Sequence, residues 1–261
     1  MKQVWVTSLD QDPAVVGTLL ATIRRYGLAA DGHFWIDDLP KIAWKGPLNR
    51  IADLAVAVWI IVGSSGAIPA SVGFGLTLLA LSAAGQRERG PVIVWLDRTG
   101  SLTAAQLPTP LQSAMILPLT VPTLGAKLVA AANTPPVAPE PAPYRLAVHA
   151  HEGYGTWLEV GPTTASWAGS LVGVAPEGRI VFQGVGPAGQ LPQKAVLAYP
   201  EQGLQLRLGE TEYSAWAVRN LLTAADSQYV KIDGATGSLV FGPYSSDDDA
   251  EVFVLRTACA A

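Results

Sequence analysis

Between Asp53 and Arg87 the chain runs for 33 residues, Leu54 to Gln86, without one charged side chain. On length alone such a window can hold a membrane-spanning helix, so its texture decides what the chain can fold into. Leu54 to Val62 is rich in β-branched residues and only about half as long as a span, and Gly63, Ser64, Ser65, Gly66 and Pro69 then break the chain. Ser71 to Ala84 intersperses Gly73, Gly75, Thr77 and Ser82 among apolar residues, which is short and polar for a lipid-facing helix. The window therefore predicts a buried strand, a loop and a buried helix. A membrane-associated protein using residues 54 to 86 is the weakest of three functional readings.

Composition supports burial. Of 261 residues, 49% are hydrophobic and 15% charged, and the formal net charge is −4, so the chain can offset its ordering entropy and is not disordered. No clustered basic face is visible, which argues against a nucleic-acid binder. The one cysteine, Cys259, rules out an intramolecular disulfide framework and a thiolate metal cluster, and with no signal peptide apparent the expected location is cytoplasmic.

The strongest boundary is Thr134 to Pro143, with five prolines in ten residues, which reads as a semi-rigid extended linker. Charge changes across it, from +2 over residues 1–133 to −6 over residues 134–261. Two domains are predicted, 1–133 and 144–261, joined by 134–143. In the first, strands at Val4 to Leu9, His33 to Asp37, Leu54 to Val62, Pro91 to Asp97 and Met115 to Leu119 alternate with helices. The clearest helix opens on Asp12 and Pro13 and closes at Gly27, and others are expected over Ser71 to Gln86 and Val121 to Ala132. This order implies an α/β fold, a three-layer parallel sheet covered on both faces. The second domain has short strands split by glycine, proline and acidic residues, including Tyr144 to Ala150, Thr156 to Val160, Ser170 to Val174, Arg179 to Phe182, Ala195 to Tyr199, Leu204 to Leu208 and Glu251 to Leu255. One amphipathic helix is expected over Thr211 to Ala225 and a hairpin at Asp233 and Gly234, making a separate β-rich α+β domain.

Ligands of parallel α/β sheets bind beyond the carboxyl ends of the strands. Those positions hold Ser8 and Asp10, Asp37 and Asp38, Gly63, Ser64 and Ser65 up to Gly66, and Asp97 with Arg98. The Gly63 to Gly66 run can present N–H groups and hydroxyls to an anionic group, or serve only as a flexible connection. It lacks the lysine of a phosphate loop, the G-x-G-x-x-G pattern and the G-x-S-x-G of a nucleophile elbow. The aspartates also suit N-caps and turns.

The opening strand Val4 to Ser8, the segment Trp35 to Asp38, the strand Val58 to Ser65 leading into a helix, and Pro91 to Trp95 together resemble a Toll/interleukin-1 receptor (TIR) type module, a flavodoxin-like family. The resemblance covers about 130 residues, half the chain. Catalytic members of that family cleave NAD with a glutamate on the helix after the third major strand. Here that stretch, Ser71 to Leu79, has no acid, and Glu88 is the only glutamate before the linker. Without a carboxylate to stabilise oxocarbenium-like charge, the resemblance implies an interaction or ligand-sensing role.

His149 and His151 stand at strand spacing i, i+2, where two imidazoles can share a metal with Glu152 or Glu159. The pair faintly resembles the first cupin motif, although Gly155 and Thr156 occupy the place of that family's glutamate. Two partly exposed histidines beside a hairpin turn are the simpler reading. Asp247, Asp248 and Asp249 read as a solvated acidic turn. The expectation is a non-catalytic, cytoplasmic interaction protein. Its TIR-like module would bind a protein partner or a nucleotide-like ligand through Ser8, Asp10, Asp37, Asp38, Gly63, Ser64 and Ser65. No cofactor, nucleic acid or membrane is implied, and a homo-oligomer stays open. The rival is a hydrolase or nucleotide-processing enzyme with its site at the strand ends or between the domains, combining Asp37, Asp38 or Ser64 with His149, His151 or Glu152.

Overall fold

The computed structural model describes residues 1–64, 68–135, 141–244 and 251–259. The first half runs β1 (Gln3–Ser8), α1 (Pro13–Arg25), β2 (Ala29–Phe34), α2 (Leu48–Ile51), β3 (Val56–Gly63), α3 (Ala70–Gly85), β4 (Val92–Asp97), β5 (Met115–Pro118) and α4 (Leu124–Asn133). The strands pair in parallel in the order β2-β1-β3-β4-β5, the flavodoxin-like order. Its best-marked helix is capped as expected: Asp12 Oδ1 accepts from Val15 N at 3.2 Å, Pro13 opens the first turn, and Gly27 takes φ +80° just past the end.

Side chains on the strands alternate between two cores. Val58, Ile60, Val94 and Leu96 pack with Leu19 and Ile23 of α1 and Leu124 and Leu128 of α4. Trp59, Ile61 and Trp95 face the opposite side, against α2 and α3. This double burial is why the strands are continuous apolar runs.

The second half is a sandwich of two antiparallel sheets. Its strands are β6 (Tyr144–His151), β7 (Gly155–Pro162), β8 (Ser170–Ala175), β9 (Arg179–Pro187), β10 (Glu201–Leu208), β11 (Thr211–Val218), β12 (Asp226–Asp233), β13 (Ser238–Pro243) and β14 (Phe253–Arg256). One sheet has the order β6-β7-β12-β9 and the other β10-β11-β8-β13-β14. The core against α3 runs on without a break into the sandwich interior, where Leu158, Val160, Val172, Val230, Leu239 and Phe241 belong to the same cluster.

That continuity accounts for the uncharged window. α3 is buried on all sides, with Val72, Phe74, Leu76, Leu78 and Leu79 all enclosed, as expected of a helix that is apolar all round. Its small residues admit close neighbours: a Cβ on Gly73 would lie 2.9 Å from the Ala258 backbone, and one on Gly75 would lie 2.7 Å from the Trp35 ring. Thr77 Oγ1, fully buried, donates to Thr257 O at 3.0 Å. Among the described residues no helix is long and apolar enough to cross a membrane.

Four sequence expectations are corrected. The helix foreseen over Thr211 to Ala225 is instead strand β11 and a loop. Tyr213, Ala215 and Ala217 are buried at period 2 and β11 is paired on both sides, so ladder bonds and two-residue alternation override the apparent helical spacing. Asp233 and Gly234 do not close a hairpin: β12 pairs with β7 and β9 while β13 pairs with β8 and β14, so the chain crosses between sheets there. Buried Thr236 fixes this crossover by bonding Ala175 N and O, beside the turn at Glu177 and Gly178, both at positive φ. Ala195 to Tyr199 forms no strand and lies in a loop held by Asn220, which accepts from Ala198 N and donates to Val196 O. The second strand ends at Phe34, so Asp37 and Asp38 lie beyond it.

Candidate functional site

The strand-end residues are largely engaged with one another. Ser8 Oγ donates to Asp10 O at 2.7 Å, and Arg98 bridges Asp10 at 3.1 Å and Asp12 at 3.3 Å. Asp37 accepts from Ser71 Oγ at 2.6 Å, and Asp38 pairs with Lys41, which holds its carboxyl below the usual range. Asp97, buried, accepts from Thr99 N, Thr99 Oγ1 and Leu102 N and so shapes the loop after β4. Burial opposes its ionisation, and those bonds outweigh burial and lower its pKa. Gly63 packs on Leu9, where a Cβ would lie 2.8 Å from the leucine side chain, and Ser64 follows half-buried. Ser65, Gly66 and the acidic run Asp247 to Asp249 lie outside the described residues, as do residues 136–140 of the proline-rich segment.

A denser constellation forms on the outer face of the four-stranded sheet. Directly opposed residues of antiparallel strands share a face. One row therefore reads His149, Trp157, Lys231, Phe182, and the next reads Ala147, Glu159, Tyr229, Gly184. The third row is Arg145, Gly161, Ser227, Gly186. Glycine at Gly184 and Gly186 lets the loop after β9 lie flat on this face: a Cβ on Gly186 would sit 2.5 Å from Pro192, and one on Gly184 3.2 Å from Ala195.

Under that loop Glu159 is fully enclosed. Its Oε1 accepts from Arg145 Nε, Ser227 Oγ and Gly189 N, each at 2.8 Å, and its Oε2 meets His149 Nε2 at 2.6 Å. Burial pushes the carboxyl toward neutrality, but the His149, Gly189 and Ser227 hydrogen bonds prevail and hold its pKa down at about 2. An ionised carboxylate only accepts, so His149 Nε2 bears the proton of this contact. Arg145 also donates to Ser227 Oγ, Asp226 O and Ala224 O. Tyr229 donates to Pro187 O and accepts from Gln190 N. Burial and the charge of Glu159 push its pKa up to about 12.

His149 stands where this face meets the first half of the chain. Edge strand β6 packs beside α3, and Lys45 Nζ caps it by donating to Ala150 O at 2.7 Å. The junction holds a cavity of about 370 Å³, lined by Trp44, Lys45, Ser82, Gln86, His149 and His151 among others. A second, of about 460 Å³, shares Lys45, Ala150 and His151 with it and adds Lys41 and Glu152. The structure thus brings His149, His151 and Glu152 to one cleft, where they meet Lys41 and Lys45 and not the strand-end aspartates. Trp44 is almost fully buried, and its indole N–H has no acceptor among the described residues.

Each member of the histidine pair has a hydrogen-bond partner of its own. His149 bonds Glu159 directly, His151 Nδ1 accepts from Gly153 N at 3.1 Å, and among the described residues no three His, Cys, Asp or Glu side chains are placed to share an ion. Cys259 is a protonated thiol, pushed up to about 11 by burial despite nearby Arg256. Arg145, Ser227 and Tyr229 were not foreseen. Arg145 was within reach of the sequence, being two and four residues from Ala147 and His149 on one face of a strand; Ser227 and Tyr229 depend on a strand pairing 70 residues away, which alternation alone does not specify. The chain matches no protein family model and no curated protein.

Proposed function

We propose that this chain is a non-catalytic binding protein that takes a nucleotide-sized, anionic ligand in the cleft between α3, the segment 41–48 and strand β6. The observation that supports this most is the cleft itself: Lys45, His149 and His151 line one cavity with the amide of Gln86, the hydroxyl of Ser82 and the indole of Trp44, and the adjoining cavity adds Lys41, paired with Asp38, and Glu152. Cations, neutral donors and an aromatic ring are what a phosphorylated heterocycle requires. The TIR-like reading of the first half fits a sensing or partner-binding role. The helix that would bear the family's glutamate is α3, which has no acid and is covered by Thr257 and Ala258. The strand-end aspartates, tied to Arg98, Ser71 and Lys41, are poorly placed to receive a ligand of their own sign.

A second reading, a hydrolase with its site between the two halves, draws on the His149 and Glu159 contact. An imidazole oriented by a buried carboxylate can act as a general base through Nδ1. Thermal-shift and calorimetric titration with NAD, ATP, ADP and AMP, followed by chromatography of the mixtures, separates the two. Binding weakened by Lys45→Ala with the nucleotide recovered intact supports the proposal. Turnover abolished by His149→Ala would establish the enzymatic reading in its place.

A further inference from the structure

Beside the roofed half of the outer face, the same sheet leaves aromatic side chains open to solvent. Phe182 is 56% exposed and Tyr154 64% exposed, although a sheet face needs no apolar residue there. Together with Trp157, Leu191, Pro192 and Gln193 they line a cavity of about 440 Å³. The Trp157 and Phe182 rings stand 5.6 Å apart at 68°, forming a corner and not a stack. We infer that this corner is a carbohydrate-binding site for one or two neutral pyranose rings of an oligosaccharide.

The chemistry of a pyranose fits the corner. A pyranose presents a face of C–H groups, which packs on an aromatic ring, and an equatorial belt of hydroxyls, which needs donors and acceptors at the rim. The corner offers two aromatic rings inclined at 68° to each other. At its rim the Gln193 amide and the Tyr154 hydroxyl have no hydrogen-bond partner among the described residues. None of the residues lining the cavity is formally charged, and Lys231, which stands between Trp157 and Phe182 in the same row, lies with its side-chain end beside Gly155 at the turn, so the lining suits a neutral ligand better than the lysine-lined cleft does.

The corner is also held rigid before any ligand arrives. Trp157 Nε1 donates to Tyr154 O at 2.9 Å, and the β6–β7 turn carrying Tyr154 is closed by Tyr154 N to His151 O and by Gly155 at φ +77°. The opposite wall, Leu191 to Gln193, belongs to the loop that Glu159 and Tyr229 hold through Gly189 N and Gln190 N. Preformed walls lower the ordering cost of binding. Within this site Glu159 is a positioning residue.

The inference is independent of the cleft reading, because Phe182 and Gln193 do not line the cleft. The test uses the full chain with soluble hexasaccharides of α-1,4-glucose, β-1,4-glucose, β-1,4-xylose and β-1,4-N-acetylglucosamine, and with an oligoproline peptide and AMP as comparisons. Binding is read by calorimetry and tryptophan fluorescence. At least one hexasaccharide is expected to bind, with affinity reduced roughly tenfold or more by Phe182→Ala and measurably by Gln193→Ala. Both side chains are at the surface, and unchanged melting curves would confirm folding. Binding by no hexasaccharide, binding indifferent to both substitutions, or occupation of the corner by oligoproline or AMP alone would overturn the inference.

Discussion

At the ends of the parallel strands, Arg98 meets Asp10 and Asp12 at 3.1 and 3.3 Å, and all three side chains are between 31 and 43% exposed. On the sandwich, Arg145 meets Glu159 at 2.8 Å, and the carboxylate has no exposure at all. The two clusters share chemistry and differ in solvent. Water screens the first, so its pairing contributes little beyond positioning a loop. The second has lost its hydration, and each protein partner replaces part of it, so deleting one partner leaves an uncompensated buried charge. The difference teaches where this chain has invested order: around the loop after β9, which forms a wall of the aromatic corner and, through Leu191, part of the cleft.

Substitutions graded by this contrast can break it. Glu159→Gln should be the most damaging, destabilising the fold by about 3 to 5 kcal/mol in denaturant titration, because it leaves Arg145 without its counter-charge and turns an acceptor-only group into one that must also donate. A loss below about 1 kcal/mol would place Glu159 with the surface pairs. Acid titration examines the same group without mutation. Its folded pKa, about 2, lies below the ordinary 4.5, so its contribution is complete above pH 4.5 and disappears as pH falls toward 2. The shift corresponds to about 3 kcal/mol, and the Gln variant should lack that part of the acid limb.

His33 adds a separate window. Burial lowers its pKa to about 4, and Trp5 Nε1 donates to its Nδ1 at 3.1 Å, so it folds neutral. The unfolded chain binds that proton more readily, and stability should therefore fall as pH drops from 6.5 to 4, a loss that His33→Gln should reduce. Gly186→Ala should cost about 1 to 3 kcal/mol by driving a methyl into Pro192, and should loosen the loop more than the sheet. Arg98→Ala should change stability by no more than about 1 kcal/mol, with an effect that shrinks further in salt.

The central strands of the first half were legible because β3 and β4 are largely buried apolar runs, and α1 because it carries local start and stop residues at Asp12, Pro13 and Gly27; the edge strand β2, with no fully buried residue, was placed too late in the chain. The sandwich was less so. Its strands at Tyr144, Gly155 and Ser170 announced themselves, but Thr211 to Val218 alternates residues as small as alanine and serine with tyrosine and tryptophan, a pattern that a helical wheel accepts equally. Asp233 and Gly234 have hairpin chemistry, yet which strands they join is set by long-range pairing. Of the site, His149 and His151 were visible as a strand-spaced pair, with Glu152 and Glu159 left as alternative acids beside them. Their partners came from β12 and from a loop with no period of its own.

The central claim is that Glu159 holds the loop after β9 against the sheet and so builds the walls on either side of it. Hydrogen exchange at the Gly189 amide tests this most directly, since that N–H donates to Glu159 Oε1 at 2.8 Å. In the Glu159→Gln protein at neutral pH, Gly189 and Gln190 should exchange far faster than in the wild type, by a larger factor than the paired amides of β7 and β12. Equal acceleration throughout the sheet, or no acceleration at Gly189, would contradict the claim.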